Sequence, residues 1–411
     1  MELLSQYEQI AGKDVVDHLR VLAAPLAGLK VVHINSTKSG GGVAEILHKL
    51  VPLKQGLGID TDWIVIEGEP EFYNCTKAFH NALQGETTAF SDSMFKAYEQ
   101  TNRKFAEKNR DQLAQADIVF VHDPQPAACI NHFKRRRGKW IWRCHIDASR
   151  PYRPAWTYLR DHVKHYDASV FSLPEFTRRL PHNQYIIPPS IDPLSDKNKD
   201  LDIEHIEAVL EEYGIDPDRP LIVQVSRFDW FKDPIGVIES YRLARRFAPL
   251  QLVLAGGDAS DDPEGAEVLE QVRRAAGDDP DIHILLLPPD AHLKINALQR
   301  AANLILQKSL KEGFGLTVAE GMWKGKPVIG GDVGGIRLQV VNHYTGYLVR
   351  SPEGAALRIR YLLHRRDRLS EMGLRAHRHV RENFLLTRHL RDYLALVHCI
   401  RDSGKERLYV G

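Results

Sequence analysis

The chain has 411 residues, of which 43% are hydrophobic and 27% charged, and this composition is typical of a globular protein with two or three domains. Its 55 lysines and arginines balance 54 aspartates and glutamates, and a net charge of +1 argues against a surface for nucleic acid or membrane binding. No apolar run approaches the roughly 18–20 residues that span a bilayer, the first residues lack a secretory signal, and the four cysteines form no CxxC pair. We therefore expect a cytoplasmic protein without a disulfide framework or a zinc ribbon.

In the first half of the chain, short β-rich apolar runs alternate with longer helical patterns. This alternation predicts βαβ units around a parallel sheet. The predicted strands are 29–35, 63–66, 118–122, 139–143, 168–173 and 185–187. Helices are predicted at 92–109 and 155–165.

A proline-rich break at 188–193 cannot continue a helix or a central strand, so we place a domain boundary there. The second half repeats the alternation, with predicted strands at 221–225, 251–255, 282–286, 304–307 and 327–329. Its predicted helices are 234–247, 264–276, 291–302 and 316–324, and the tail 353–401 is almost wholly helical in pattern.

These elements predict an α/β fold of two doubly wound parallel-sheet domains that face an interdomain cleft. The predicted domains are 1–190 and 191–385, followed by a helical tail at 386–411. The helix from about residue 385 is a candidate to pack back on the first domain. Ligands of such sheets bind at the carboxyl ends of the strands, so residues just after each strand are the candidates for chemistry.

A glycine-rich turn, 40–42, follows the first predicted strand, and Glu45 comes three residues later. Gly41 and Gly42 would let the backbone approach a ligand closely, at the start of a helix with free N–H groups. The segment is neither GxGxxG nor a Walker A loop, so a plain tight turn explains it equally well.

Two cations, Arg227 and Lys232, lie in the loop after the predicted strand 221–225. Arg227 can bind a phosphate with its planar fork and Lys232 as a point charge. A solvated loop with a surface ion pair is the alternative interpretation of the same spacing.

The segment 311–322 follows the predicted strand 304–307 and opens a helix. Its Gly313, Phe314, Gly315 and Leu316 can present several amides to an anion. Glu312 stands before the helix and Glu320 two turns inside it, where carboxylates can accept bonds from sugar or ribose hydroxyls. Taken alone, the segment could also be an ordinary helix start.

His145 and Asp147 follow the predicted strand 139–143. A single histidine is more often structural than functional, but the carboxyl end of a strand favours a functional position.

Three Asp-x-Asp segments, 60–62, 216–218 and 279–281, could hold a divalent metal ion. All three precede predicted strands in turn-like sequence, and two contain proline, so turn chemistry explains them. The sequence also lacks HExxH and any clustered Cys/His pattern, and we predict no metal site and no obligatory metal.

Together these motifs resemble glycosyltransferase family 4, whose members are retaining enzymes with the GT-B fold of two Rossmann-like domains. Residues 312–320 resemble its EX7E signature, and Arg227 with Lys232 its phosphate-binding R…K pair. The stretches 33–48, 79–85 and 142–147 resemble the trehalose branch of this family, the trehalose glycosyltransferring synthases. The resemblance runs from about residue 29 to about residue 395.

The resemblance implies a role for each matched residue. Arg227 and Lys232 would bind the donor diphosphate, and Glu320 the nucleotide ribose. Glu312 would hold the donor glucose together with the amides of Gly313, Phe314, Gly315 and Leu316. In the first domain, Gly41 and Gly42 would contact the donor, His145 the donor sugar near the reacting carbon, and Glu45 and Asp147 the acceptor glucose.

The implied activity is the reversible, retaining transfer of glucose from ADP-, UDP- or GDP-glucose to free glucose, giving α,α-trehalose. The partners would be these small molecules, with no nucleic acid or membrane, and a homodimer is left open. Three alternatives remain: a retaining trehalose phosphorylase that uses inorganic phosphate, an enzyme with glucose 6-phosphate as acceptor, and a non-catalytic sugar- or nucleotide-binding module. A paired-carboxylate hydrolase is disfavoured, because two turns of helix would hold Glu312 and Glu320 roughly 12 Å apart.

Overall fold

The computed structural model describes residues 2–38, 41–257 and 263–401. The chain forms two compact units. The first runs to Pro189 and takes in the chain again from Leu386, and the second is Ser190–Leu385.

The first unit contains a six-stranded parallel sheet with the order β2-β1-β3-β4-β5-β6. Its strands are β1 (Lys30–Asn35), β2 (Asp60–Val65), β3 (Ile118–His122), β4 (Lys139–Arg143), β5 (Ala168–Phe171) and β6 (Asn183–Ile186). Every residue of the central strand β3 is buried, as expected of a parallel strand covered on both faces, whereas the edge strand β6 is partly exposed.

Eight α-helices belong to this unit among the described residues. They are α1 (Glu2–Ala11), α2 (Lys13–Ala23), α3 (Gly42–Gly56), α4 (Pro70–Leu83), α5 (Asp92–Lys108), α6 (Arg110–Gln115), α7 (Arg153–Val163) and the C-terminal helix α16 (Leu386–Arg401). The last of these packs against α2 and α3 and buries Leu390, Tyr393 and Leu394. The end of the chain therefore completes the core of the unit that holds its beginning.

The second unit contains a six-stranded parallel sheet with the order β12-β11-β10-β7-β8-β9. Its strands are β7 (Leu221–Val225), β8 (Gln251–Gly257), β9 (Ile282–Leu287), β10 (Leu304–Gln307), β11 (Val328–Gly331) and β12 (Gly346–Val349). The chain builds outward from β7 to β9, then returns to the other side of β7 with β10, so the winding reverses between β7 and β10.

Helices cover this sheet, and their apolar faces form its core with the strands. They are α8 (Ile203–Glu212), α9 (Pro234–Arg245), α10 (Pro263–Ala276), α11 (His292–Ala301), α12 (Leu316–Trp323), α13 (Gly334–Gln339), α14 (Pro352–His364) and α15 (Arg366–Asn383). In the first sheet the winding reverses between β1 and β3. Each sheet thus has one switch point, where neighbouring loops leave in opposite directions and open a crevice.

The predicted α/β class with two doubly wound parallel sheets is confirmed. Strands 118–122, 139–143, 221–225 and 304–307 have the predicted bounds, and the other predicted strands are displaced by a few residues. The prediction placed a helix after the glycine-rich turn, where α3 lies, but gave it no bounds, and it omitted β12 and the helices α1, α2, α4, α6, α8 and α13. It also joined the C-terminal helices, which the structure divides into α14, α15 and α16.

Candidate active site

The candidate donor-binding residues of the second unit lie at its switch point. β7 and β10 pair directly, and the loops after them carry Arg227 with Lys232 and Glu312 with the glycine-flanked turn. In open α/β sheets, this crevice at the carboxyl ends of the strands is where ligands bind.

Lys232 and Glu312 meet across the two loops. The lysine Nζ lies 2.6 Å from the glutamate Oε2, and the two side chains are only 18% and 10% exposed. Ser309 Oγ also donates to the same oxygen at 3.3 Å. Because this charge-assisted hydrogen bond is partly buried, it holds the Lys232 ammonium and the Glu312 carboxylate in fixed positions.

The backbone around this pair is fixed by hydrogen bonds between the same loops. Leu310 N–H donates to the Phe231 carbonyl at 2.7 Å, and Gln224 Nε2 donates to the Lys232 carbonyl at 2.9 Å. The next residue, Asp233, forms an ion pair with the buried Lys308. These contacts hold the loop after β7 against the loop after β10.

Asp233 has a second structural role. It adopts the left-handed conformation, with φ 50°, and its Oδ1 accepts from Gly236 N–H at 3.1 Å, capping α9. The cap defines where the loop ends and the helix begins, one residue after Lys232.

Arg227 lies in the same loop but does not contact Glu312. Its side chain is 69% exposed and pairs with Asp229 at 3.1 Å. Asp229 Oδ1 also accepts from Phe231 N–H at 2.7 Å. Because an exposed ion pair contributes little free energy, the guanidinium can exchange Asp229 for another anion at small cost.

The turn at Phe314 depends on glycines that pack against it. Gly315, with φ 82°, is the N-cap residue of α12, and the buried Gln339 donates to the Phe314 carbonyl at 2.5 Å. Gly335 N–H donates to the Glu312 carbonyl at 3.2 Å, and a Cβ on Gly335 would come within 2.2 Å of the Phe314 Cα. Only a glycine permits that approach, which explains the pair Gly334-Gly335 in the sequence.

Glu320 lies in α12 and is 3% exposed. It is just over one turn inside the helix, not two, because α12 begins at Leu316. Its neighbour Lys324 is half-buried, and burial of its ammonium lowers the pKa of Lys324 to about 7 against the opposing attraction of Glu320. Glu320 therefore sits deeper than Glu312, which borders the loops.

In the first unit, Gly41, Gly42 and Glu45 lie at the start of α3, after β1. Gly41 has φ 80°, a conformation that favours glycine, and its carbonyl accepts from Glu45 N–H at 3.3 Å. Gly40, the first residue of the predicted turn, lies outside the described residues. Glu45 is half-buried.

His145 and Asp147 follow β4, on the same edge of the sheet as the start of α3. His145 N–H donates to Asp123 Oδ1 at 2.7 Å, and Asp147 Oδ1 accepts from Ser149 N–H at 2.8 Å. Burial raises the pKa of Asp123 to about 7, opposed by the His145 N–H and by Arg143. Asp123 itself has φ 62°, an uncommon conformation for a residue other than glycine.

Behind His145, the structure shows three polar residues that the sequence analysis did not identify. His33, His122 and Lys54 are buried and hydrogen-bonded in a row that reaches His145. A sequence signal did exist, because two histidines interrupt apolar strands and Lys54 interrupts an apolar stretch of α3. These residues, however, come from three separate elements, and only the fold shows that they contact one another.

The three Asp-x-Asp segments lie at the opposite edge from the candidate site. Segment 60–62 begins β2 rather than preceding it, while 216–218 and 279–281 precede β7 and β9. Their carboxylates bind neighbouring parts of the fold: Asp62 accepts from Gln112 Nε2 at 2.7 Å, Asp216 Oδ1 accepts from Asp218 N–H at 2.9 Å, and Asp281 pairs with Arg219 at 2.6 Å. Within 2–38, 41–257 and 263–401, no group of three or more His, Cys, Asp or Glu side chains is arranged to hold a metal ion.

Two family models match the chain. Residues 33–178 match the model "Trehalose synthase, N-terminal domain", and residues 206–379 match "Glycosyl transferases group 1". A trehalose synthase of Pyrococcus horikoshii is 47% identical over 97% of this chain and 96% of the relative. The chain belongs to the trehalose synthase family. It is accordingly a glycosyltransferase of trehalose metabolism.

Two further comparisons bear on the fold and on the alternatives. A UDP-forming α,α-trehalose-phosphate synthase of Burkholderia xenovorans superposes with a TM-score of 0.73, covering 92% of this chain and 100% of the other at 15% identity. At that identity the likeness shows the fold, and the predicted GT-B fold is confirmed. A trehalose phosphorylase of Pleurotus pulmonarius is 29% identical over 86% of this chain and 55% of the relative.

None of the helices in the described ranges is both long enough and apolar enough to cross a membrane.

We predict that Gly335→Ala destabilises the second unit and displaces the turn at Phe314. The new Cβ would lie 2.2 Å from the Phe314 Cα, and overpacking of this kind costs about 1–3 kcal/mol. Thermal unfolding should show a Tm several degrees below that of the wild type. The matched control is Gly354→Ala, whose Cβ meets nothing closer than 3.6 Å. Equal Tm values for the two variants would contradict the close-approach argument.

Proposed function

We propose that the protein is a retaining glucosyltransferase that makes α,α-trehalose from a nucleoside-diphosphate-glucose donor and free glucose, and that it also catalyses the reverse reaction. The Lys232–Glu312 ion pair at the switch point of the second sheet, 2.6 Å long, is the observation that carries the proposal. It combines a cation suited to a leaving diphosphate with a carboxylate suited to sugar hydroxyls.

The second unit would stabilise the charge that grows on the departing diphosphate. An ammonium has three donors, and the described contacts of Lys232 use one of them, toward Glu312. The first amides of α12, after the turn at Phe314, add fixed donors of the kind that bind phosphates. Donors preplaced where charge develops stabilise the transition state more than the ground state.

The carboxylates would bind the neutral parts of the donor. A second oxygen of Glu312 remains to accept from a glucose hydroxyl, because Oε2 takes the bonds from Lys232 and Ser309. Glu320, deeper along α12, would accept from the ribose hydroxyls. A ribose-binding carboxylate favours a nucleotide donor over inorganic phosphate, and it supports the transferase over the phosphorylase.

The first unit would contribute the remaining contacts. His145 is proposed to touch the donor sugar near the reacting carbon, with Gly41 and Gly42 presenting backbone to the donor. Glu45 and Asp147 are proposed to contact the acceptor glucose. All five residues follow strands β1 and β4 at one edge of the first sheet, which supports a shared function.

The proposed reaction retains the configuration of the anomeric carbon. The bond from C1 to the diphosphate oxygen breaks as an oxocarbenium-like centre forms, and the anomeric hydroxyl of the acceptor glucose bonds to C1 on the same face. The acceptor proton passes to the leaving diphosphate oxygen, so no separate general base is needed. Cations and amides then act on the diphosphate charge while the carboxylates orient the sugar.

We predict that Lys232→Ala and Arg227→Ala each lower kcat about 10²–10³-fold, the loss typical of removing one charge-stabilising donor. Initial rates of trehalose formation, with Tm recorded for each variant, provide the measurement. Arg246→Ala is the matched control, because it removes an exposed cation of the same unit whose side chain has no described contact. Near-wild-type turnover in either test variant would remove that residue from the proposed diphosphate site.

We predict that trehalose and a nucleoside diphosphate together yield a nucleotide glucose and free glucose. A panel of ADP, UDP and GDP, read by product identity, measures this directly. Incubation with trehalose and inorganic phosphate should give no glucose 1-phosphate. Formation of glucose 1-phosphate would instead support a trehalose phosphorylase. Use of glucose 6-phosphate in preference to glucose as the acceptor would support the alternative enzyme with a phosphorylated acceptor. Tight donor binding without turnover would support a binding module.

We predict full activity in the presence of EDTA, because lysine, arginine and backbone amides would supply the charge stabilisation that a divalent ion supplies elsewhere. Rates before and after chelation, and after addition of Mg²⁺, provide the test. Loss of activity in EDTA with recovery in Mg²⁺ would contradict the metal-independent proposal.

A further inference from the structure

Four side chains form a hydrogen-bonded row in the first unit. Lys54 Nζ lies 2.9 Å from His33 Nε2, and His33 Nδ1 lies 2.9 Å from His122 Nε2. His122 Nδ1 then lies 3.0 Å from His145 Nε2. The row crosses from α3 through β1 and β3 to the second residue after β4.

The row leads from the interior of the unit to its surface. Lys54, His33 and His122 are 2%, 0% and 3% exposed, whereas His145 is only half-buried. His145 Nδ1 has no hydrogen-bond partner among the residues that the structure describes. The free end of the row is therefore the residue proposed to contact the donor sugar.

The interior end of the row is Lys54, whose protonated form cannot accept a hydrogen bond. The Lys54 ammonium lies 4.8 Å from the centre of the Phe120 ring and 5.1 Å from that of Tyr393. Aromatic faces attract a cation, and no described carboxylate pairs with this one. An ammonium has donors only, so its bond to His33 has one possible direction.

That direction propagates along the row. His33 Nε2 must accept from Lys54, so the proton of a neutral His33 is on Nδ1, where it donates to His122. His122 must likewise accept through Nε2 and donate through Nδ1 to His145. His145 then accepts through Nε2, and its own proton lies on Nδ1.

We infer that Lys54 is a positioning residue that sets the tautomer of His145, so that His145 presents Nδ1–H as a hydrogen-bond donor to a hydroxyl of the donor sugar. The contact with sugar rests on the proposed function, whereas the tautomer follows from the row itself. With the opposite tautomer, Nδ1 would instead offer an acceptor at the same point.

The row works only if its imidazoles are neutral, and their surroundings favour that state. Burial lowers the pKa of His122 to about 3, and burial together with nearby cations holds the pKa values of His33 and His145 well below their usual range. Burial also lowers the pKa of Lys54, to about 7. The other titratable and charged groups around the row are Arg143 on β4, Asp123 after β3, and Arg388, His389 and Tyr393 on α16.

The backbone of His145 is fixed independently of the row. Its N–H donates to Asp123 Oδ1 at 2.7 Å, and the Asp123 carbonyl accepts from Trp142 Nε1 at 2.9 Å. Two separate contacts thus determine where His145 lies, and the row determines which of its nitrogens carries the proton.

The test is ¹⁵N NMR of the full chain labelled at histidine, at pH 6, where Lys54 is mostly charged. His33, His122 and His145, assigned with single His→Gln variants, should each be neutral with the proton on Nδ1. The exposed His205 serves as the reference signal. An Nε2–H tautomer or an imidazolium at any of the three positions in the wild type would overturn the inference, and this measurement needs no variant of Lys54.

Lys54→Met supplies the causal test. It removes the only donor-only group of the row, so the Nδ1–H signature of His145 should give way to a mixture of tautomers. The kcat/KM for the nucleotide-glucose donor should fall about 3- to 10-fold, the worth of one hydrogen bond, while KM for acceptor glucose stays unchanged. The matched control is Lys104→Met, which removes an exposed cation on α5 and should alter neither reading.

The two measurements, the tautomer of His145 and the kcat/KM for the donor, distinguish failure of this inference from failure of the proposed function. An unchanged His145 tautomer in Lys54→Met overturns the inference while trehalose formation by the wild type stands. A changed tautomer with unchanged kcat/KM also overturns the positioning role. The expected tautomers in a wild-type protein that forms no trehalose would support the row and contradict the proposed function.

Discussion

The ion pair between Lys232 and Glu312 joins two loops whose residues lie 80 positions apart in the chain. Its existence depends on the strand order, because only the reversal of winding makes β7 and β10 neighbours. Both side chains are largely buried, so loss of either one would leave a charge without its partner. The remaining contacts of these loops maintain the pair: the backbone bond from Leu310 to Phe231, the Asp233–Lys308 pair, and the glycines beneath the turn at Phe314.

The two units each shield a lysine ammonium from solvent, and they stabilise it in different ways. In the second unit, a carboxylate 2.6 Å away balances Lys232, and the pair forms a fixed charged site. In the first unit, Lys54 lies between aromatic faces and donates into a row of neutral imidazoles. One arrangement supplies positive charge where a diphosphate would leave. The other transmits only the direction of hydrogen bonds, and so it can select a donor at His145 without bringing net charge to the sugar.

Much of this architecture could be predicted from local sequence. The runs 118–122 and 304–307 are apolar up to their last residue, and their strands have the predicted bounds. The strand β12 (Gly346–Val349) was missed because it begins with glycine, a residue that is depleted in strands, and only three apolar residues follow. Arg227, Lys232 and Glu312 could be selected by residue type and by their position after strands. The sequence could not predict that Lys232, and not Arg227, contacts Glu312, because this contact depends on the geometry of the loops. The row behind His145 was missed for the same reason: each residue resembles an isolated polar interruption until the fold brings four elements together.

The central claim is that Lys232, Arg227 and the turn at Phe314 bind the diphosphate of a nucleotide sugar. A crystal structure with the preferred nucleoside diphosphate and glucose tests it most directly. The account predicts a terminal-phosphate oxygen within about 3 Å of Lys232 Nζ, with the Arg227 guanidinium moved from Asp229 to the phosphates and the first amides of α12 facing them. A diphosphate bound away from the β7–β10 edge, or beyond the reach of both cations, would contradict it.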